Sequence, residues 1–264
     1  MTSMTRRVDE LREEALRQIK ELRLAGENTR HSRADNLAAV QGLVQGNPHN
    51  TFGIHGVENI GFEEALACVS SVTKCSSDPE VVSGGGYISP SETLEGLEAA
   101  ARRIAPVARR GGRFLLGTGH PGSLLDYYIR LGEVIRGWGG EVLTPAAGEQ
   151  VPPGLDIDYI EGVAVTTDRA SLMHTHDFRA MELMLAAAPS VDFAVVDHGY
   201  AGAAINAGIP LVVIMDTNDP AFAVAQRNGA DVTIVPMDDN RPLSAYLPMV
   251  ELVRAFGDLD TGPA

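Results

Sequence analysis

The segment RFLLGTGHPG at residues 113–122 joins an apolar run to a glycine-rich turn and then to the expected start of a helix. Its glycines follow the G-x-G-x-x-G spacing, and Pro121 suits the first position of a helix. In this context backbone N–H groups and the helix N-terminus can face an anion. The segment predicts a strand–turn–helix unit with a phosphate-binding turn, although a turn that binds no ligand is the alternative. The candidate phosphate-binding residues are Gly117, Thr118, Gly119, His120, Gly122 and Ser123.

Outward from this segment, short apolar runs alternate with stretches of helical periodicity. The expected strands are 114–116, 141–143, 193–196, 211–215 and 232–235, and the expected helices are 122–138, 177–188, 199–207, 220–228 and 244–256. A further strand, which could be antiparallel, is expected at 159–167. This alternation predicts an α/β fold with a Rossmann-like, mostly parallel sheet and helices on both faces. Ligands of such sheets bind beyond the carboxyl ends of the strands.

Residues 1–88 form an expected N-terminal helical segment before the α/β domain at 89–264. Apolar residues from Val8 to Leu22 recur every three or four positions, which predicts an amphipathic helix with a narrow apolar stripe. The stripe could pack on its own domain or on a second copy. We expect a homo-oligomer, in particular a homodimer.

The α/β part is expected to open with a capped helix. Ser89 and Glu92 have the spacing of a capping box, and Pro90 lies between them at the first helical position. The helix should end near Arg110, before a glycine.

Composition narrows the class of protein. The 264 residues are 44% hydrophobic, enough for a large core, and carry a formal net charge of −14, which opposes binding to nucleic acid or anionic lipid. The two cysteines, Cys68 and Cys75, lack the paired spacing of a metal site or a disulfide framework. No apolar stretch approaches 18 residues. We therefore expect a soluble, cytoplasmic protein that binds neither nucleic acid nor a membrane.

Two histidines stand two residues apart before one of the expected helices. In extended backbone, His174 and His176 point to the same side and could converge on a metal ion or a phosphate. The alternative is that Asp177 caps the helix while the histidines make surface hydrogen bonds.

Further polar residues follow three of the expected strands. Asp197 and His198 come directly after 193–196 and are candidates for substrate or metal contact, as are Asp216 and Asn218 after 211–215. Asp219, before a proline, is interpreted as an ordinary N-cap. The stretch 238–240 after the last strand could close the same site or be a solvated loop.

Several phosphotransfer classes lack their core residues. There is no G-x-x-x-x-G-K-[ST] motif and no cysteine with an arginine six residues later. Asp156 and Asp158 have the spacing of haloacid-dehalogenase nucleophiles, but they precede their apolar run instead of following it. The run that ends at 143 is followed by threonine and proline where a dinucleotide site needs an acid, so NAD is not expected.

Four elements together resemble an actinobacterial family of Rossmann-like proteins generally labelled phosphatases. They are LLGTGHPGSLLD at 115–126, the His174–His176 element, DHGYAGAAINAG at 197–208 and DTNDPA at 216–221. Tyr200 stands where the family pattern leads us to expect tryptophan. The resemblance implies phosphate chemistry.

These observations predict a phosphatase-like hydrolase, a phosphoric monoester hydrolase acting on a small phosphorylated metabolite. The candidate catalytic residues are His176, Asp197 and His198, and the candidate ligands for Mg²⁺, Mn²⁺ or Zn²⁺ are His174, His176, Asp216 and Asn218. The alternative is a non-hydrolytic sugar-phosphate or nucleotide binder, or an isomerase-like protein, since a glycine-rich turn needs no metal.

Overall fold

The computed structural model describes residues 3–27 and 29–259, and within them the chain is an α/β protein with ten α-helices. The first part of the chain is helical, as expected. Its helices are α1 (Ser3–Glu21), α2 (Arg33–Val44), α3 (Pro48–Thr51), α4 (Phe62–Thr73) and α5 (Pro90–Arg109). Strands and helices then alternate through β1 (Arg113–Gly117), α6 (Pro121–Gly137), β2 (Glu141–Val142), β3 (Gln150–Val151), β4 (Leu155–Ile160), β5 (Val163–Thr167), α7 (Arg179–Ala187), β6 (Phe193–Val196), α8 (His198–Asn206), β7 (Leu211–Met215), α9 (Pro220–Arg227), β8 (Val232–Pro236) and α10 (Leu247–Leu259).

The strands form one eight-stranded, mostly parallel sheet. Its order is β3-β4-β5-β1-β6-β7-β8, with β2 pairing on β1 as well. The central strands β1, β6, β7 and β8 are parallel neighbours, so their carboxyl ends meet at one edge. That edge carries the polar residues that the sequence places after each strand.

The central strands are buried on both faces. Alternate residues belong to two apolar cores: Leu116 and Val195 face one that includes α5, α6 and α10, and Leu115 and Val196 face the other, which includes α4, α8 and α9. Helices therefore cover both sides of the sheet, as the Rossmann-like prediction requires.

Both cores also take up side chains from residues before 89. Ala15 and Ile19 of α1 are fully buried against the first core, and Val40 and Leu66 belong to the second. The apolar stripe of α1 is thus covered by its own chain. The boundary between 88 and 89 remains a prediction about domain organisation.

Two local predictions are wrong. The strand expected at 159–167 is a hairpin, because Glu161 and Gly162 adopt positive φ and turn the chain between β4 and β5. These strands pair antiparallel, and β5 joins β1 in parallel. Ser89 does precede α5, but its side chain makes no capping hydrogen bond. Instead its backbone N–H donates a hydrogen bond to Thr73 O at 2.8 Å, which connects the start of α5 to the end of α4.

Candidate functional site

The carboxylate of Asp197, at the end of β6, ties the glycine-rich turn to the neighbouring strand. It is fully buried and accepts hydrogen bonds from Thr118 Oγ1 and the Gly119 N–H, each at 2.7 Å. Its Oδ1 also lies 3.0 Å from His198 Nδ1. A buried carboxylate acts as an acceptor, so His198 keeps its proton on Nδ1 and directs Nε2 away from Asp197.

His198 has a strained backbone at the start of α8. Its φ of 45° lies in the left-handed region, which costs a side-chain-bearing residue about 1–2 kcal/mol. The conformation turns the imidazole toward the turn, where its ring centroid is 5.2 Å from those of His120 and His174 and 4.7 Å from that of His176. Stored strain of this kind concentrates at functional sites.

The His174–His176 segment lies directly on the glycine-rich turn, although the two are far apart in sequence. Thr175 N–H donates to Gly119 O at 2.8 Å, and a Cβ on Gly119 would come within 2.3 Å of Thr175 O. The contact stacks the His120 and His174 rings with centroids 4.5 Å apart. Only glycine permits this approach, which explains its place in the motif better than a need for positive φ.

His176 is held by the helical segment that precedes the sheet. Its ring stacks between His49 and Phe52, with centroid distances of 3.7 and 4.7 Å, and its Nδ1 lies 2.7 Å from His49 O. Because a carbonyl only accepts, Nδ1 carries the proton, and the lone pair of Nε2 points to His174 Nε2 at 3.2 Å. Asp177 accepts from the Arg179 N–H, as a helix cap would. His174 is exposed and His176 is half-buried, so a role for the two histidines in the site remains a prediction.

The loop after β7 contributes buried oxygen atoms without hydrogen-bond partners. Asp216 and Asp219 are at most 1% exposed, and Asp216 Oδ2, Asp219 Oδ1 and the half-buried Asn218 Oδ1 have no hydrogen-bond donor among the described residues. Asp219 is the N-cap residue of α9, as expected, but its side chain makes no capping hydrogen bond; its Oδ2 instead accepts from the Asp216 N–H. Such orphaned acceptors are costly unless a ligand satisfies them.

Asp239, after β8, lies between the histidines and the Asp216 loop. Its Oδ2 is 3.3 Å from His120 Nδ1 and 3.6 Å from His198 Nε2. The adjacent Asp238 has a different role, because it pairs with Arg241 at 2.7 Å and accepts from the Arg30 N–H. The stretch 238–240 therefore closes the site and is not a solvated loop.

Burial and charge push the protonation states of the histidines apart. Burial and the charge of His198 lower the pKa of His174 to about 4 and that of His176 to about 2, so both are neutral near pH 7. Burial opposes the charged form of His198, but the bond to Asp197 and the charges of Asp197 and Asp219 raise its pKa to about 10.

The carboxylates divide in the same way. Burial and the charge of Asp239 raise the pKa of Asp216 well above its ordinary value. Burial also raises the pKa of Asp219 to about 7, against the opposing effect of His198. For Asp239, burial is outweighed by the hydrogen bond from His120 and the charge of His198, and its pKa is lowered. The raised pKa values of Asp216 and Asp219 thus favour their protonated, uncharged forms.

Among the residues that the structure describes, three overlapping sets of side chains have ligand atoms within 4.8 Å of one another and could hold a metal ion. They are His120, His174 and His198; His31, Asp216 and Asp239; and His198, Asp219 and Asp239. The unpartnered oxygens of Asp216 and Asp219 are suitable ligands for a divalent cation, as is Nε2 of His198 once a cation displaces its proton. The residues present therefore fit a metal.

The structure distributes the predicted site residues over this edge. Of the predicted metal ligands, His174 and His176 adjoin each other and Asp216 adjoins Asn218, while Asp219, Asp239 and the other histidines stand between the two pairs. In the predicted phosphate turn, the N–H groups of Thr118, Gly119 and His120 donate to Ala164 O, Asp197 Oδ1 and Thr118 Oγ1. Ser123 Oγ donates to Asp239 O. The turn is therefore occupied largely in positioning the site.

The sequence analysis did not select three residues that adjoin the cluster, His31, His49 and Phe52, and it left Asp239 open as part of the stretch 238–240. His31 Nε2 lies 3.9 Å from Asp216 Oδ2 and 2.9 Å from Asn240 Nδ2. Asp239 alone carried a usable signal, its position after the last parallel strand. His31 lies in the loop before α2, and His49 and Phe52 lie in α3 and at its end; no local spacing pattern predicts how these segments approach the sheet.

The fold and the His/Asp cluster define an α/β protein with a polar site at the carboxyl edge of its parallel strands. The chain matches the Phosphatase family over residues 8–257. It is 31% identical over 249 residues to "Phosphatase SCO2771" of Streptomyces coelicolor, covering 89% of this chain and 94% of that protein. The chain belongs to the Phosphatase family, and the resemblance to an actinobacterial phosphatase family is confirmed.

A weaker similarity extends to a named kinase. The tetraacyldisaccharide 4'-kinases of Bordetella parapertussis and Bordetella bronchiseptica are each 30% identical over 173 residues, covering 59% of this chain and 50% of those proteins. The chain spans about half the length of these relatives. Among the described residues, no helix is both long and apolar enough to cross a membrane.

Proposed function

We propose that this protein is a cation-assisted phosphoric monoester hydrolase acting on a small phosphorylated metabolite. The observation that carries the proposal is the set of buried, unpartnered carboxylate oxygens of Asp216 and Asp219 beside the imidazoles of His31 and His198. Membership of the Phosphatase family supports the reaction class. A divalent cation, Mg²⁺, Mn²⁺ or Zn²⁺, bound here would polarise a phosphoryl oxygen and offset the negative field.

In this proposal Asp197 and His198 act as a pair. Asp197 fixes the proton of His198 on Nδ1, so that Nε2 can serve as a metal ligand once a cation displaces its proton, in the carboxylate–histidine arrangement common at metal sites. Asp197 is a positioning residue, because its oxygens are engaged by the turn and by His198.

The neutral His174 and His176 serve as further ligands. The lone pair of His176 Nε2 faces His174 Nε2, and a pKa of about 2 makes His176 a poor proton donor and a good ligand at neutral pH. Asp216 and Asn218 offer oxygens from the β7 loop.

The phosphate group of the substrate is proposed to lie over the N-terminus of α6. His120 offers a side chain there, and Gly122 is open, since a Cβ would meet nothing within 4 Å. The positive end of the helix favours the anion.

The buried, unpaired thiols of Cys68 and Cys75 fit a reducing compartment and support a cytoplasmic location.

A panel of phosphorylated metabolites with Mg²⁺, Mn²⁺ or Zn²⁺ tests the function by phosphate release. Hydrolysis should depend on the cation and should be lost in His176→Ala purified in parallel, which excludes a contaminating phosphatase. Folded protein that releases no phosphate from any substrate would refute the proposal. Thermal stabilisation by phosphosugars without metal dependence or turnover would favour the non-hydrolytic binder.

A further inference from the structure

We propose that the site binds two divalent cations side by side, with Asp239 shared between them. This rests on the proposed function and adds to it the number and placement of the cations. The histidine site consists of His120, His174 and His198, and the carboxylate site consists of His31, Asp216 and Asp239.

The geometry separates the two sites and also links them. Within each site the ligand atoms lie within 4.8 Å of one another, but His174 and His31 do not occur in a common set. Asp239 connects them: its Oδ2 is 3.3 Å from His120 Nδ1 and 3.6 Å from His198 Nε2, while it also belongs to the carboxylate site. A carboxylate in this position can bind one cation through each of its two oxygen atoms.

The unpartnered atoms require a ligand on the carboxylate side in addition to the histidine side. Asp216 Oδ2 and Asp219 Oδ1 are buried without a hydrogen-bond donor among the described residues, and both belong to sets that contain Asp239. A single cation among the three imidazoles would leave Asp216 unsatisfied. A single cation at Asp216 would leave the ring nitrogens of His120, His174 and His198 without a metal ion.

The charge balance supports the same number. Of the five buried aspartates at this edge, Asp238 pairs with Arg241. The other four form no ion pair with Lys or Arg in the part of the chain that the structure describes; they are Asp197, Asp216, Asp219 and Asp239. Two divalent cations match the charge of these four carboxylates when all four are ionised, whereas one cation matches only two of them.

Zinc stoichiometry tests the proposal, because Zn²⁺ accepts both imidazole and carboxylate ligands. Full-length protein is stripped with a chelator, saturated with Zn²⁺, separated from free metal and analysed for zinc per chain. The wild type should retain two, His174→Ala one, Asp216→Asn one, and the double variant none. Asp239→Asn should weaken both sites. His55→Ala and Asp158→Asn change exposed residues outside the cluster and should retain two.

One zinc per saturated wild-type chain would overturn the proposal, as would the loss of both ions or of neither in His174→Ala or in Asp216→Asn. Circular dichroism confirms folding, and His31→Ala, at the half-buried ligand of the carboxylate site, replaces Asp216→Asn if the latter unfolds. Manganese-loaded protein adds a readout of proximity: its EPR spectrum should show exchange coupling in the wild type and none in His174→Ala. The outcome is distinct from that of the hydrolysis assay, since two bound ions without phosphate release would refute only the proposed function.

Discussion

Asp197 is the residue through which the glycine-rich turn, β6 and His198 depend on one another. Its two oxygens accept from Thr118 Oγ1 and the Gly119 N–H, and Oδ1 also faces His198 Nδ1. An amide at this position has one acceptor oxygen and turns two donors toward groups that themselves donate. The position therefore tests whether the carboxylate, and not merely its shape, holds the site.

Asp197→Asn should lower the free energy of unfolding by about 1–3 kcal/mol, the usual cost of leaving a buried donor unpaired. Hydrolysis and zinc retention should fall with it, because His198 loses the acceptor that fixes its tautomer. Denaturant unfolding and the phosphate-release assay measure the two effects. The control is Asp192→Asn, at a half-exposed aspartate near the opposite end of β1. Wild-type activity and stability in Asp197→Asn would refute this role.

His176→Ala should cut turnover by at least about a hundredfold, within the range for loss of an important catalytic group. The ring also stacks on His49 and Phe52, so a loss of about 1 kcal/mol in stability is expected as well. Melting temperature and turnover are measured together, with exposed His55→Ala as the matched histidine control. A variant that keeps near-wild-type turnover would remove His176 from the mechanism.

At the scale of elements, the site depends on how closely the loops pack. Gly119 and Gly199 both lie against the backbone of the segment 175–177, where an added Cβ would come within 2.3 and 2.2 Å of a carbonyl oxygen. Gly202 of α8 lies against Phe52 O in the same manner, at 1.8 Å. Small residues therefore bring the histidine segment and the α3 end onto the β6–α8 junction.

Gly119→Ala should push the 175–177 segment off the turn and separate His120 from His174. Overpacking of this kind costs about 1–3 kcal/mol, and hydrolysis should fall further than stability because the histidine site is dispersed. Gly137→Ala, in α6 where a Cβ meets nothing within 4 Å, is the control and should be neutral or slightly stabilising. Unfolding curves and zinc retention of the two variants decide the matter; equal values would show that the contact is unimportant.

Much of the sheet follows from local patterns. The runs that became β1, β6, β7 and β8 are short, apolar and separated by helical periodicity, and burial on both faces leaves them few alternatives. The hairpin of β4 and β5 was missed because Glu161 and Gly162, which interrupt the apolar run and turn the chain, were included in a single expected strand. Gly162, which adopts a positive φ, was the residue in the sequence that could have indicated this turn.

The polar edge was predictable to the extent that parallel strands end together. This rule alone predicts that Asp197 and Asp216 lie at the site, and it predicts the same of Asp239, which also follows a parallel strand. His31 and His49 do not, because their positions result from α2 and α3 packing on α9 and from loop contacts over 150 residues apart in sequence. Periodicity within a helix contains no information about such docking.

For the whole molecule, the homodimer remains a prediction. The fully buried Ala15 and Ile19 show that the stripe of α1 packs on its own chain, so a dimer would need another surface. Light scattering on the full-length protein should give twice the 28.0 kDa chain mass over a range of concentrations. A mass of one chain throughout that range would contradict the prediction.

The metal-free protein should be markedly less stable than the metal-loaded protein. Without a cation, only bound protons and neighbouring histidines offset the negative charge of the four buried carboxylates. A ligand that binds only the native state stabilises it by about 2.7 kcal/mol at 100 times its dissociation constant. For a chain of this size that corresponds to a melting-temperature increase of roughly 5–10 °C per site.

Chelator-treated protein should therefore melt lower and recover when Zn²⁺ is added back in excess. The double variant His174→Ala, Asp216→Asn should melt at one temperature with or without Zn²⁺, since each cation site has lost a ligand. His55→Ala should recover like the wild type, which separates binding at the cluster from zinc adsorbed on exposed histidines. If the wild type melts at the same temperature with and without Zn²⁺, the buried carboxylates are satisfied by protons and the cation assignment fails.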